Sequence, residues 1–365
     1  MRNDQCEIAV IRGDGIGIDV TDATLRVIAA AQAACGGFTV QCKDIKAGAG
    51  YFAKEGIDIE PNGEDAAGES DAILLGAIGL PAIRHDDGTE ISPHLRLRDK
   101  FGLYAGVRPV KAYSNSPQRL ADERAANIDL IILRESTEGL FYSAAVHNRT
   151  QYDGDEQVDE TLRITRSVTE RLCDYAFNLA RKRKTQGKPG TVTCVDKANV
   201  FNAFAFFRKI FDERAAAFPD VDIAHSYVDA QALDLIRRPW EFDVLVMENM
   251  FGDILSDLAG GLVGGMGMAA CAEVGDEHAL FQPAHGSAPD IMGEDKANPL
   301  AAILSGALML DYLAERTGNT SLAEAARLVE HGVEKGFEAN TIRPMEFGGD
   351  MGTVAVTDAV ITAMK

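Results

Sequence analysis

The chain predicts an α/β fold with buried sheet strands, and three observations carry that prediction. Short apolar runs such as 71–75 and 242–247 are near-continuous, as strands covered on both faces are. These runs alternate with helix-length segments along the whole sequence. At 365 residues, with 46% hydrophobic and 25% charged, the composition is ordinary for a globular protein and the length suffices for two domains.

In order, residues 7–12 read as a strand and 19–34 as a helix, followed by strands at 38–45 and 71–75, the latter ending in Gly76-Ala77-Ile78-Gly79. The theme repeats at 129–134, 192–195, 223–228 and 242–247. Residues 158–184 read as one long helix. Its basic end, Arg181-Lys182-Arg183-Lys184, suits cations facing solvent at a helix C-terminus better than a phosphate patch. Residues 147–156 are polar and irregular, as in a protruding loop or arm. No internal repeat or low-complexity linker interrupts the pattern.

A net charge of −20 argues against nucleic acid as a partner and would repel an anionic substrate at long range. Any acid-binding site must therefore be built from a local basic cluster. No run approaches the ~18 apolar residues of a membrane span. The polar N-terminus lacks an apolar signal core, so the expectation is a cytoplasmic protein. Cys6, Cys35, Cys42, Cys173, Cys194 and Cys271 are scattered without CxxC spacing, as reduced core residues rather than a zinc or disulfide frame.

Several segments carry possible chemistry. In Asn249-Met250-Phe251-Gly252-Asp253-Ile254-Leu255-Ser256-Asp257 two carboxylates stand four apart, on one face if the segment is helical. They repel each other unless a cation lies between them, and hard oxygen donors suit Mg2+ or Mn2+. Gly13-Asp14-Gly15-Ile16-Gly17 invites a dinucleotide reading, but Ile18 stands where GxGxxG needs a small residue, so a tight strand-to-helix turn is expected. The Gly/Ser/Pro-rich stretch 283–291 suits a diphosphate through exposed backbone N–H groups. Within it His285 can meet a base, and Asp290 can accept from ribose hydroxyls while repelling a 2′-phosphate. Arg98, Arg108 and Arg134 are candidate carboxylate clamps, Arg134 at the end of a strand. Lys197 also ends a strand, as either a surface residue or a base.

Together these segments resemble the β-decarboxylating dehydrogenases: isopropylmalate, isocitrate, homoisocitrate, tartrate and D-malate dehydrogenases. The resemblance runs from Gly13 to the C-terminal helix. It implies a two-domain, non-Rossmann fold. Residues 1–103 and 264–365 would form a discontinuous nucleotide-binding domain, and 104–263 an inserted dimerisation and metal domain with an arm around 144–160. It implies a homodimer in which each site borrows residues from the partner. Arg98, Arg108 and Arg134 would clamp substrate, and Asp253 and Asp257 would hold the metal together with Asp229 of the other subunit. Lys197 would be the cross-subunit catalytic lysine, helped by Asp229, with Asn199 beside the nicotinamide. His285, Gly286, Ser287, Ala288, Asp290 and Asn298 would bind the adenosine part. Asp290-Ile291, where NADP-dependent members carry Lys-Tyr, implies NAD.

The chain departs from the family pattern in three places. Phe141 occupies the position of the family's acid tyrosine, and Tyr142 follows it as a possible substitute. The segment before Arg98 carries His94 and Arg96, less apolar than an isopropyl pocket requires. Gln282 stands where a Glu is usual. The expected activity is oxidation and decarboxylation of a 2-hydroxy di- or tricarboxylic acid with NAD and Mg2+ or Mn2+, of the 3-isopropylmalate or the tartrate/D-malate type. A non-catalytic regulatory paralogue is the competing class, favoured only by Phe141. A divalent-metal hydrolase is more distant, since it would leave the 285–290 loop without a role.

Overall fold

The computed structural model describes residues 4–143, 147 and 149–365. In chain order its main elements are β1 (Gln5–Gly13), α1 (Ile16–Cys35), β2 (Thr39–Asp44), α2 (Ala49–Glu55), α3 (Gly63–Glu69), β3 (Ala72–Ala77), α4 (Pro93–Lys100), β4 (Ala105–Lys111) and β5 (Asp129–Glu135). The short strands β6 (Gln151–Asp153) and β7 (Gln157–Asp159) precede α5 (Arg166–Thr185), β8 (Thr191–Asp196), α6 (Asn202–Ala215), β9 (Asp222–Tyr227) and α7 (Val228–Arg237). Then come β10 (Val244–Met247), α8 (Asn249–Leu262), β11 (Ala270–Val274), β12 (Ala279–Pro283), α9 (Leu300–Thr317), α10 (Thr320–Glu338) and α11 (Thr353–Ala363).

Ten strands form one sheet in the order β2-β1-β3-β12-β11-β4-β5-β10-β8-β9. The two flanks are parallel, and the centre, β12-β11-β4-β5, is antiparallel. Strands from both chain ends thus lie side by side in one half, while β5, β10, β8 and β9 make the other. The parallel strands bury both faces, which is why β3 and β10 are apolar throughout. Helices α1, α9, α10 and α11 pack on one another beside the first half. Leu310, Leu313, Val329 and Val360 belong to the core cluster they share.

The structure corrects several expectations. Residues 158–165 are not helical: β7 pairs with β6 as a hairpin, and α5 begins only at Arg166, after the Thr165 N–H donates to Glu138 Oε2 at 2.7 Å. Part of the segment 144–160, expected as an arm, is thus a two-stranded ribbon, and 144–146 and 148 lie outside the described residues. The basic end of α5 is not simply solvated. Arg183 is buried, pairs with Asp243 and donates to the Asp129 carbonyl at 2.7 Å, while Arg181 and Lys182 pair with Asp220, Asp311 and Glu315. Strands β4, β11 and β12 were not expected: Gly106, Pro109, Glu273 and Gln282 interrupt their apolar pattern. All six cysteines are free, but only four are buried; Cys42 is exposed and Cys35 half-buried. Among the described residues no helix is long and apolar enough to cross a membrane.

Candidate active site

The central antiparallel strands bring the site together by register. Glu273 on β11 faces Gly106 on β4, and Gly106 faces Arg134 on β5. Directly opposed residues in antiparallel strands project to the same face, and so does Arg108, two residues beyond Gly106. Gly106 keeps this row open. A Cβ there would come within 2.6 Å of the Ser136 hydroxyl and 3.0 Å of Glu273 Oε2. Helix α4 adds Arg98, whose guanidinium lies 2.9 Å from Glu273 Oε1, while Arg108 lies 3.5 Å from the same oxygen. Arg98, Arg108 and Arg134 are all buried.

Helix α8 closes the other side. Glu248 caps it, accepting from the Met250 and Phe251 N–H groups at 3.1 and 3.4 Å. Asn249 accepts from Nε and Nη2 of Arg134 at 2.9 and 2.7 Å and donates to the Glu138 carbonyl at 3.0 Å, so it fixes the guanidinium plane. Arg134 also pairs with Asp253, one turn along. Burial and the neighbouring Asp253 raise the Asp257 carboxyl, against the pull of Arg108 and Arg134. That like-charge pressure is what a divalent cation would relieve. The two carboxylates are donors that fit Mg2+ or Mn2+, and no group of three or more His, Cys, Asp or Glu able to hold a metal occurs among the described residues.

Asp229 lies instead at the start of α7, where its carboxylate is 2.6 Å from Lys197 Nζ at the end of β8. This ammonium holds the Asp229 carboxyl below its ordinary value. Nearby apolar side chains are uncovered, with Phe201 54%, Leu233 54% and Ile254 59% exposed. The structure therefore pairs Lys197 with Asp229, and separately joins Arg98, Arg108 and Arg134 with Asp253 and Asp257. No side-chain hydrogen bond links Asn199 to either group among the described residues.

The nucleotide-loop candidates lie against the first turn of the chain. The Ile16 N–H donates to the Ser287 carbonyl at 2.7 Å, and the Ser287 hydroxyl donates to the Gly79 carbonyl. Gly15, at φ +55°, leaves no room for a Cβ against that Ser287 carbonyl. The Asp14 carboxylate accepts from the N–H groups of Ala49, Gly50 and Gly79 at 2.8–2.9 Å, tying three loops together. His285 Nε2 is buried without a partner, and burial lowers its imidazole pKa. Gly286, Ala288 and Asp290 are exposed, and Asp290 has no ion pair among the described residues. Asn298 is less free, because its amide donates to Glu346 at 2.9 Å.

Tyr142 is not brought to the arginines. Its buried ring packs against Arg163, 3.3 Å from the ring centre, and against His147 at 4.1 Å. Phe141 takes the place beside Arg134, at 5.1 Å, and lines a small cavity with Leu95, Arg98, Ser136, Thr137 and Asn249. Arg96 does not crowd the site either: it forks onto Asp58 at 2.9 Å and binds Glu64 at 2.6 Å. His94 lies in the first turn of α4. Burial, with Arg98 nearby, holds its imidazole down at about 3, and Nδ1 has no partner.

Residues that sequence reasoning passed over are Glu273, Asn249 and the buried acids after Arg134. Burial pushes the Glu135 carboxyl up to about 7, although Thr137 and Glu138 donate to it at 2.6–2.7 Å. An acid inside the otherwise apolar run Ala270–Val274 was the available signal for Glu273.

The comparisons agree with this architecture. The family model for isocitrate/isopropylmalate dehydrogenase matches residues 7–362. A 3-isopropylmalate/3-methylmalate dehydrogenase from Methanocaldococcus jannaschii is 40% identical over 98% of this chain and 99% of its own. A 3-isopropylmalate dehydrogenase from Salinibacter ruber is 39% identical over 97% of this chain and 93% of its own. Among solved structures, isocitrate dehydrogenase from Methylococcus capsulatus superposes with a TM-score of 0.83 at 32% identity, covering 98% of this chain and 99% of that one. A beta-decarboxylating dehydrogenase from Thermococcus kodakarensis gives 0.78, also at 32%, covering 98% and 96%. With matches of this length and identity, the chain belongs to the isocitrate/isopropylmalate dehydrogenase family of β-decarboxylating dehydrogenases.

Proposed function

We propose that the protein oxidises and decarboxylates a 2-hydroxy acid of the 3-isopropylmalate or tartrate/D-malate type, using NAD and Mg2+ or Mn2+, as a homodimer with shared sites. The observation that carries this reading is the meeting of Asp253 and Asp257, on one face of α8, with Arg108 and Arg134 from the strands. Bound there, a divalent ion supplies Lewis acidity to the substrate oxygens, and NAD supplies the hydride acceptor.

The rest falls to the chain's own side chains. Arg98, Arg108 and Arg134 orient the substrate carboxylates through the guanidinium N–H groups that Glu273, Asn249 and Asp253 leave free. Lys197, as the neutral amine, accepts the hydroxyl proton directly or through water and Asp229, and the ammonium so formed pairs with Asp229. The uncovered Phe201, Leu233 and Ile254 favour a second copy over that surface, which would carry Lys197 and Asp229 to the other chain's Asp253 and Asp257. Asp290 accepts from free ribose hydroxyls.

A screen for NADH formation with Mn2+ tests the proposal against isopropylmalate, tartrate, D-malate, isocitrate and homoisocitrate. At least one should be oxidised, with NAD preferred over NADP by ~10-fold or more in kcat/KM, about 1.4 kcal/mol. Equal use of the two cofactors would remove the assigned role of Asp290. No NADH with any acid would favour the second reading, a ligand-binding paralogue, which Phe141 supports because it has no proton to donate.

A further inference from the structure

Glu273 has no place in the mechanism above, yet it is fully buried at the centre of the arginine cluster. An acid at that depth needs cations around it. Burial alone would raise its carboxyl; Arg98, Arg108 and Arg134 outweigh this and hold it at about 2, so it is ionised at neutral pH. Its Oε1 is shared between Arg98 at 2.9 Å and Arg108 at 3.5 Å. Nε of both arginines remains buried without a partner.

Charge then limits what the cleft accepts. The guanidiniums of Arg98, Arg108 and Arg134 face the carboxylates of Glu273, Asp253 and Asp257, so these six charges cancel, and the Lys197–Asp229 pair that a second copy would bring is itself neutral. A divalent cation on the Asp pair adds two positive charges, which a substrate dianion balances. A trianion would leave one negative charge uncompensated beside the fully buried Glu273. We infer that Glu273 is a specificity-determining residue: by occupying Arg98 and Arg108 from within, it makes this a site for 2-hydroxy dicarboxylates and turns away tricarboxylates. The inference rests on the dehydrogenase reading of the same cleft and narrows it.

The test measures binding by calorimetry to the full-length protein with Mn2+ and without NAD, so that turnover plays no part. The dianions are D-malate, tartrate and isopropylmalate; the trianion is isocitrate. Wild type should bind its best dianion at least ~10-fold more tightly than isocitrate. Glu273→Gln, which keeps the shape and removes the charge, should shrink that ratio mainly by gaining isocitrate, and Glu273→Asp should retain it. Isocitrate bound as tightly as the dianions by wild type would overturn the inference, even if Glu273→Gln does not fold. An unchanged ratio in a folded Glu273→Gln, with a dianion still oxidised, would overturn it while leaving the dehydrogenase reading intact. Failure of every acid both to bind and to reduce NAD would overturn both.

Discussion

Two cation–carboxylate pairs serve this protein in opposite ways. Arg98–Glu273 is closed inside one chain, its side chains 8% and 0% exposed. Lys197–Asp229 lies at the rim, 22% and 70% exposed, near uncovered Phe201 and Leu233. A buried pair cannot reorganise without leaving a bare charge in low dielectric, so it is a fixed part of the cleft. A rim pair is worth ~0–1 kcal/mol and is free to exchange partners. The difference suggests a division of labour, with a rigid half that sets which acid fits and a loose half that is completed by whatever covers it.

The largest effect should come from breaking the loose half. Lys197→Met should lower kcat by ~10^2- to 10^4-fold, the usual worth of a positioned proton acceptor. It should barely move Tm, because the lost pair is exposed. Asp229→Ala and Asp253→Ala homodimers should both be inactive. Mixed dimers of the two should recover activity, since one of their two sites keeps every residue. Verified heterodimers without activity would show that the halves are not shared between chains.

Breaking the rigid half should show as stability. The folded Glu273 carboxyl sits at about 2 against an ordinary 4.5, so between those values the unfolded chain binds more protons than the folded one. Stability should therefore be complete above pH 4.5 and fall as pH drops towards 2, by on the order of 3 kcal/mol from this group. Urea unfolding of wild type and Glu273→Gln across that window checks the sign. The variant should start less stable at neutral pH and lose less on acidification. Parallel curves would mean that Glu273 shares little of its ionisation with folding.

The same division explains what the sequence made legible. The strands at 7–12, 71–75 and 242–247 declared themselves because burial on both faces demands unbroken apolar runs. Asp253 and Asp257 were legible because helical spacing is a local rule. Glu273 was not, because its reason for being ionic lies in Arg98 and Arg108, 175 and 165 residues away in sequence, and in a register through Gly106. Nor was the start of α5: Val158 has the apolar character of a helix position, but Tyr152 pairs it into a hairpin. Nor was the place of His94, which α4 sets beside Arg98.

The smallest expected effect separates two neighbours on the same segment. Phe141 lies beside Arg134 in the cleft, while the Tyr142 ring is packed between Arg163 and His147. Decarboxylation of the keto acid needs a proton at C3, whereas its reduction by NADH does not, so the two partial reactions report on different groups. Tyr142→Phe should leave both within roughly twofold, far short of the ~10^2-fold that loss of a general acid costs. Phe141→Tyr places a hydroxyl in the cavity that Arg98, Ser136 and Asn249 line, and it should speed decarboxylation without touching reduction. If Tyr142→Phe instead slows decarboxylation alone, the tyrosine must reach the cleft in the working enzyme. The segment carrying Phe141 and Tyr142 would then have to rearrange on binding, and it would belong with the loose half of the site.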